Sequence, residues 1–231
     1  MQVTNNTTVQ NYNYNSTKTQ EVKTSPSAFD SLLEEQKEIP KEENKGRIVT
    51  FLEKYNAFDS LSETDKNKFK EILADDKVTI DEMDSLSYEQ AEKFFDYAYP
   101  LGKVENANPN EVPIVNFSNQ INTMLFSTIK TNDKTLNEAM YKTAREINSD
   151  EERTILFDNI DTQLDNLNAD RTLYRNQSSN LNDIDGASFI LGMLQKLENY
   201  NSKNSDILLN GYSILQKNYN EVLNEKKEIY A

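Results

Sequence analysis

Apolar residues recur every three or four positions through the second half of the chain, as they do on one face of an amphipathic helix. The first of these stripes is formed by Ile114, Phe117, Ile121, Met124 and Thr128. Further stripes cover residues 136–147, 157–174 and 190–200. No segment alternates between apolar and polar positions for longer than four residues, so the pattern predicts an all-α fold without strands.

The last stripe has the spacing of a coiled coil. We call it the C-terminal seam, and it consists of Leu208, Tyr212, Leu215, Tyr219 and Val222. Such a seam packs against another helix, either within the chain or in a second copy, so it is the candidate interaction site. Helices joined by short turns pack antiparallel. Residues 114–231 are therefore predicted to form an antiparallel helical bundle or a set of coiled-coil hairpins.

Residues 46–100 are predicted to form a small helical subdomain. Residues 79–82 (Thr-Ile-Asp-Glu) and 87–90 (Ser-Tyr-Glu-Gln) match the capping box that begins a helix, and Ser62 begins a variant of it. Several short helices in so few residues bury little apolar area, so we expect this subdomain to lean on the bundle. A linker over 101–113, with two prolines and three asparagines, joins the two parts.

Residues 1–45 differ in composition from the rest of the chain. Seventeen of the first 28 residues are Ser, Thr, Asn or Gln, and their only acid is Glu21. Residues 29–45 carry six acids and three lysines around Pro40. Segments of this kind cannot bury enough apolar area to offset the entropy lost on ordering. The sequence therefore predicts a disordered polar leader followed by an acidic linker.

The charge balance limits the partners. With 25 Lys and Arg against 39 Asp and Glu, the formal net charge is −14, which argues against binding to nucleic acid or anionic lipid. The longest apolar run, Phe189 to Leu194, is far shorter than the ~20 residues that span a bilayer, so no membrane insertion is expected. The first residues lack the apolar core of a signal peptide. We expect a cytoplasmic protein or, as an alternative, one secreted without a Sec signal peptide.

The missing residue types limit the chemistry. The chain has no Cys, His or Trp and only five Gly. Disulfides, thiolate or imidazole metal sites and histidine-dependent hydrolysis are therefore excluded. A phosphate-cradling glycine loop is missing as well. We expect no catalytic residues and no cofactor, and we interpret the chain as a non-enzymatic protein that binds a protein partner or itself through its helices.

One turn has a local resemblance to a calcium site. Residues 76–83 resemble the second half of an EF-hand loop, with Val78 at the central apolar position and Glu82 as the twelfth ligand. The stretch departs from that pattern because Leu73 stands at the third ligand position and Asp76 replaces the turn glycine. The resemblance implies a calcium-responsive module as a second alternative function. Its weak candidate metal ligands are Asp75, Asp81 and Glu82.

A second acidic stretch, residues 182–186, resembles the start of such a loop. Its central apolar position is taken by Ser188 and its twelfth position by Gly192, neither of which suits the role. An Asp-Gly turn, with Asp185 or Ser188 capping the following helix, is the plainer interpretation.

The acid-poor leader resembles the leaders of bacterial flagellar and type-III-secreted proteins, which are polar, unstructured and uncleaved. The resemblance rests on composition over about 28 residues and on no fixed motif. It implies, as the first alternative function, a bacterial protein exported by a flagellar or type-III-like route.

Overall fold

The structure is a computed structural model that describes residues 46–100, 104, 107–108, 110–113, 117–167, 184–199 and 204–229. Within these residues there are helices and turns and no strand, which confirms the all-α prediction. The predicted leader, residues 1–45, lies outside the described residues. The helices are α1 (Arg47–Lys54), α2 (Glu63–Ile72), α3 (Ile80–Asp84), α4 (Tyr88–Ala98), α5 (Asn119–Ser127), α6 (Lys134–Glu146), α7 (Asp150–Leu167), α8 (Gly186–Glu198) and α9 (Ser205–Ile229), with a short 3-10 helix at Ala57–Ser60.

The predicted caps begin three of the four N-terminal helices. The Ser62 hydroxyl accepts a hydrogen bond from the Asp65 amide (3.1 Å) at the start of α2. Both predicted capping boxes are complete, at the start of α3 and of α4. In the second box the Gln90 amide donates to the Ser87 hydroxyl and the Ser87 amide donates to Gln90 Oε1. These local signals fix where the short helices begin.

Aromatic side chains fill the space between α2, α4 and the 3-10 helix. Phe69 lies edge-on to Phe94 with 5.1 Å between ring centroids, and Phe58 stacks on Tyr97 at 5.4 Å. All four side chains are buried. Large rings of this kind bury more apolar area per residue than aliphatic side chains, which suits helices as short as these.

The first stripe of the bundle is shorter than its spacing indicates. The helix α5 begins at Asn119, where the Ser118 hydroxyl accepts a hydrogen bond from the Ile121 amide. Phe117 precedes this cap, and Ile114 lies outside the described residues. The prediction of a helix from Ile114 is therefore wrong for residues 117–118, because a capping serine has a non-helical backbone and begins the helix after it.

The buried part of the third stripe is also shorter than its spacing indicates. Phe157, Ile160 and Leu164 of α7 are buried as predicted, but Leu167 at its last position is 61% exposed. Tyr174 of this stripe and Tyr200 of the next lie outside the described residues. The buried face of α7 extends instead toward its N-terminus, to residues before Phe157.

The helix α9 is the central element of the bundle. It packs most extensively on α6, then on α8 and on α7. Its direction is opposite to that of α6, because Asn218 contacts Thr143 while Lys226, two turns later, contacts Thr135 near the start of α6. The antiparallel arrangement of these two helices follows from these contacts.

The helices of the predicted subdomain and the bundle share one core. The Tyr141 hydroxyl of α6 donates to the Met83 carbonyl, and the Tyr88 hydroxyl of α4 donates to the Thr128 carbonyl, each at 3.2 Å. Burial raises the pKa of Tyr141 to about 12. The described residues from Gly46 onward belong to one compact unit. The proposed boundaries at 100 and 114 stay a prediction, but the helices on both sides of them are packed together.

Candidate functional site

The C-terminal seam lies inside the described part of the chain. Leu208, Tyr212, Leu215 and Val222 are buried, and Tyr219 is half-buried. The helix that carries them, α9, is flanked by α6, α7 and α8. The seam therefore packs within one chain in this structure, and a partner could reach it only after α9 had separated from its neighbours.

Tyr212 joins α9 to two other helices. Its hydroxyl donates to Asn159 Oδ1 of α7 at 3.0 Å, and its ring lies edge-on to Phe189 of α8. Burial raises the pKa of Tyr212 well above its ordinary value, so its hydroxyl is a donor at neutral pH. Beside it, a Cβ at Gly211 would lie 2.8 Å from both methyl carbons of Leu156. The glycine lets α9 approach α7 closely.

Tyr219 takes part in a polar node at the start of α8. Asp133 accepts hydrogen bonds on Oδ1 from the amides of Thr135 (2.8 Å) and Leu136 (3.1 Å), and so caps α6. Its other oxygen, Oδ2, accepts from the Gly186 amide (3.0 Å) and from the Tyr219 hydroxyl (3.4 Å). One carboxylate therefore joins the N-termini of α6 and α8 to the middle of α9. Burial, and then the charge of Asp133, raises the pKa of Tyr219.

Gly186 has no room for a side chain at this node. A Cβ there would lie 2.6 Å from both Asp133 Oδ2 and Tyr219 Cε2, and 3.0 Å from Leu136 Cβ. Gly192, two turns later in the same helix, has nothing within 4 Å of its Cβ position. Of the two glycines of α8, packing therefore requires only Gly186.

Alanine substitutions at these two glycines are expected to have opposite effects. Gly192→Ala should raise the free energy of unfolding by about 0.5–1 kcal/mol, because alanine loses less backbone entropy in a helix. Gly186→Ala should lower it by about 1–3 kcal/mol, because Asp133 and Tyr219 must move to admit the methyl group. Urea unfolding monitored by circular dichroism measures both. Equal effects of the two substitutions would contradict this interpretation of the node.

The three candidate calcium ligands serve local structure. Glu82 Oε2 accepts hydrogen bonds from the Thr79 amide (2.7 Å) and hydroxyl (2.8 Å) in the capping box of α3. Asp75 Oδ1 accepts from the Lys77 amide (3.0 Å), and Asp81 lies in the first turn of α3. Among the described residues no group of three or more carboxylates is placed to hold a metal ion.

Asp76, the residue at the turn-glycine position, caps a helix distant in sequence. Its backbone is left-handed (φ 60°), a conformation that aspartate tolerates, so the sharp turn persists without glycine. Asp76 Oδ1 accepts from the Ile48 amide (3.0 Å) and Oδ2 from Arg47 Nε (2.9 Å). A Cβ at Gly46 would lie 2.5 Å from the Leu73 carbonyl oxygen, which shows how closely α1 begins against this turn.

Removing the charge of Asp76 is expected to change the pH dependence of stability. Burial raises the pKa of this carboxyl, but the hydrogen bonds from Ile48 and Arg47 outweigh it, so the pKa lies below its ordinary value. The stabilisation is therefore fully present above the ordinary carboxyl pKa and is lost as pH falls through the lowered one. Asp76→Asn retains the turn and an acceptor for Ile48. Its deficit in unfolding free energy against the wild type should be largest at neutral pH and shrink in acid, and a deficit independent of pH would contradict the assignment.

The second acidic stretch forms a helix cap. Asp185 Oδ1 accepts a hydrogen bond from the Ser188 amide at 2.7 Å, which confirms that Asp185 caps the helix that follows. Its hydrogen bonds from Ser188 hold the pKa of Asp185 below the ordinary range. Residues 182 and 183 lie outside the described part of the chain.

An open cavity of about 310 Å³ lies between the 3-10 helix, α2 and α4. Inside it Lys93 Nζ pairs with Asp65 Oδ2 at 3.1 Å, and Gln90 donates to Asp65 Oδ1. The hydrogen bonds from Gln90 and Lys93 lower the pKa of Asp65, so this carboxylate stays ionised. Asp65 and Lys93 thus neutralise each other. It is lined by Ser60, Leu61, Ser62, Asp65, Lys93, Asp96 and Tyr97.

The residues predicted from the sequence did not include Arg153, a buried cation of the bundle. Arg153 is fully buried in the first turn of α7. Its Nε donates to the Ala144 carbonyl (3.2 Å), and its terminal nitrogens contact the Ile147 carbonyl, Asp150 and Asn119. The positive charge therefore lies at the C-terminus of α6, where the helix dipole is negative.

The described helices and the comparisons with known proteins add two findings. None of the helices in the described ranges has the length and apolar character needed to cross a membrane. No protein-family model matches the chain, and neither a curated protein nor a solved structure is significantly similar to it.

Proposed function

We propose that this chain is a non-enzymatic helical protein that works by binding protein through an exposed helix face. The proposal rests on an apolar residue that is exposed on the outer side of α8. Its inner side, with Phe189, Ile190, Met193 and Leu197 buried, packs mainly on α9. On its outer side, about halfway along the helix, Leu191 is 49% exposed. A large apolar side chain that a regular, well-packed helix leaves half exposed is removed from water when a partner covers it, and this favours binding.

Charge separates this face from the outer face of α7. Between residues 186 and 198 only Lys196 and Glu198 are ionisable. The outer side of α7, in contrast, exposes Glu151, Asp158 and Asp165 along one line. Charged faces of that kind are well solvated, whereas interface centres are depleted of charge. We therefore propose that the binding surface lies on α8 and that the C-terminal seam serves packing within the chain.

The polar groups of the structure support a non-enzymatic role. Lys93 and Asp65 of the cavity pair with each other, and Glu82 of the acidic turn holds the capping box of α3. A catalytic group needs a partner in the substrate, and groups already satisfied by the fold are poor candidates for that task.

A photo-crosslinking scan in the producing cell tests the proposal. Benzoylphenylalanine introduced at Leu191 or Gln195 of the full chain should give discrete covalent protein adducts on irradiation. The same residue at the exposed positions Leu167 and Ser213, on other helices, serves as the matched control and should give none. A scan in which no position gives an adduct would contradict an interaction function.

The leader favours export by a flagellar or type-III-like route as a second candidate function. It is acid-poor, whereas the chain as a whole carries a net charge of −14. Deleting residues 2–28 should stop export while the helical circular dichroism signal stays unchanged. Unchanged export of the deletion variant would eliminate the leader as an export signal and with it this candidate, whereas a full-length chain found only inside the cell would assign the protein to the cytoplasm.

A further inference from the structure

The charges along α8 form a self-complementary pattern. Asp185, exposed at the N-cap, and Lys196, exposed in the last turn, are eleven residues apart. Eleven residues are close to three helical turns, so both side chains lie on one side of the helix, roughly 16 Å apart along its axis. Leu191 lies midway between them along the axis, on the other border of the exposed face.

We propose that α8 binds α8 of a second copy of this chain, antiparallel, about a two-fold axis that passes beside Leu191. This inference rests on the proposed function and names the partner of that surface. A two-fold axis at this point places Leu191 against Leu191 of the other copy. It also places Lys196 within about one residue of Asp185 of the other copy, and symmetry gives that ion pair twice.

The residues between these borders suit a close approach. Ser188, Gly192 and Gln195 are exposed along the centre of the face, and the Cβ position of Gly192 is open. In the antiparallel register Ser188 of one copy lies opposite Gln195 of the other, so the serine hydroxyl and the glutamine side-chain amide come within hydrogen-bond reach of each other. Small residues at the centre let two helix axes approach more closely than the usual 8–10 Å.

A second copy fits this face better than a partner of one charge sign. The whole chain is strongly acidic, so two copies repel each other over most of their surfaces. The face from Asp185 to Lys196 carries one charge of each sign at opposite ends, so each Lys196 meets an acid of its rotated image, while the exposed Glu198 lies on the Leu191 side of the helix and not on the Asp185 side. A basic partner would leave Lys196 facing a like charge.

The pairing is weak because the surface is small. A stable interface buries about 800 Å² on each partner, and thirteen residues of one helix offer less than that on one side. We therefore expect a concentration-dependent monomer–dimer equilibrium in the high micromolar range rather than a permanent dimer.

Sedimentation equilibrium of the full chain tests the surface. The wild-type chain should have a dimer dissociation constant below about 1 mM. Leu191→Glu should lower the association constant tenfold or more, since it sets two carboxylates against each other on the axis. The matched control, Leu167→Glu, changes another exposed leucine and should leave the constant unaltered. A wild-type chain that stays monomeric, or equal effects of the two substitutions, would overturn the proposal.

Single cysteines test the register independently, because the chain has no cysteine of its own. Leu191→Cys should form a disulfide-linked dimer on mild oxidation much faster than Leu167→Cys, since only the first places its thiol next to its own copy. Equal rates would overturn the two-fold geometry. Photo-crosslinking to a different protein from Leu191, with a monomeric chain in sedimentation, would overturn self-pairing while leaving the proposed interaction function in place.

Discussion

Replacing Arg153 with methionine is expected to lower the free energy of unfolding by about 3–5 kcal/mol. Methionine fills part of the volume but donates no hydrogen bond. The Ile147 carbonyl at the end of α6 then loses its buried donor, and the Ala144 carbonyl keeps only Gln120. A buried acceptor without a donor costs its full desolvation. Chemical unfolding followed by circular dichroism measures the loss.

Two comparisons identify the cause of that loss. Arg145→Met removes a partly exposed guanidinium that pairs with Asp84 on the surface, and it should cost less than about 1 kcal/mol. Arg153→Lys keeps the charge, but one ammonium group cannot contact carbonyls and a carboxylate that lie in different directions. This variant should therefore recover only a minor part of the unfolding free energy lost in Arg153→Met. An Arg153→Met variant as stable as Arg145→Met would refute the role of Arg153 in joining α6 to α7.

Replacing Asp133 with alanine is expected to cost about 2–4 kcal/mol, because one substitution removes the cap of α6 and the acceptor for the first amide of α8. Asp133→Asn retains an oxygen for the Thr135 and Leu136 amides. The NH₂ group of the asparagine then faces the Gly186 amide, and two donors cannot form a hydrogen bond with each other. About half of the loss expected for Asp133→Ala should therefore remain. Tyr219→Phe removes the weakest contact of the node and should cost about 1 kcal/mol.

Hydrogen exchange locates the effect of the Asp133 substitutions. In both variants the amide of Gly186 should exchange faster than in the wild type, whereas in Asp133→Asn the amides of Thr135 and Leu136 should stay protected. Uniform acceleration over all helices would show that the carboxylate acts on global stability alone, and it would contradict a specific connection between α6 and α8.

The elements that sequence reasoning predicted depend on local chemistry. A capping box is complete within four residues, so the start of α3 and of α4 could be predicted from the hydroxyl and the acid or amide alone. The buried stripe of α9 depends only on the helical repeat. Even the error at α5 was local, since Ser118 is a capping residue inside an apparently continuous stripe.

The polar contacts that connect helices could not be predicted in the same way. Asp76 caps a helix 28 residues before it, and Asp133 contacts residues 53 and 86 positions away. A sequence does not show which distant amide a carboxylate will face, because that depends on how the helices pack. Arg153 carried a different signal: it is the one cation in a helix with six acids, and its position on the apolar side of α7 could have indicated burial.

The central place of α9 has a consequence for biosynthesis. Because α9 packs on α6, α7 and α8 and follows all three along the chain, their apolar faces stay uncovered until the ribosome has released it. The bundle therefore closes only after α9 has been synthesised, and until then the nascent chain depends on chaperones or on rapid closure to avoid aggregation. A premature stop codon before Ser205 would leave three helices translated but unable to form the core.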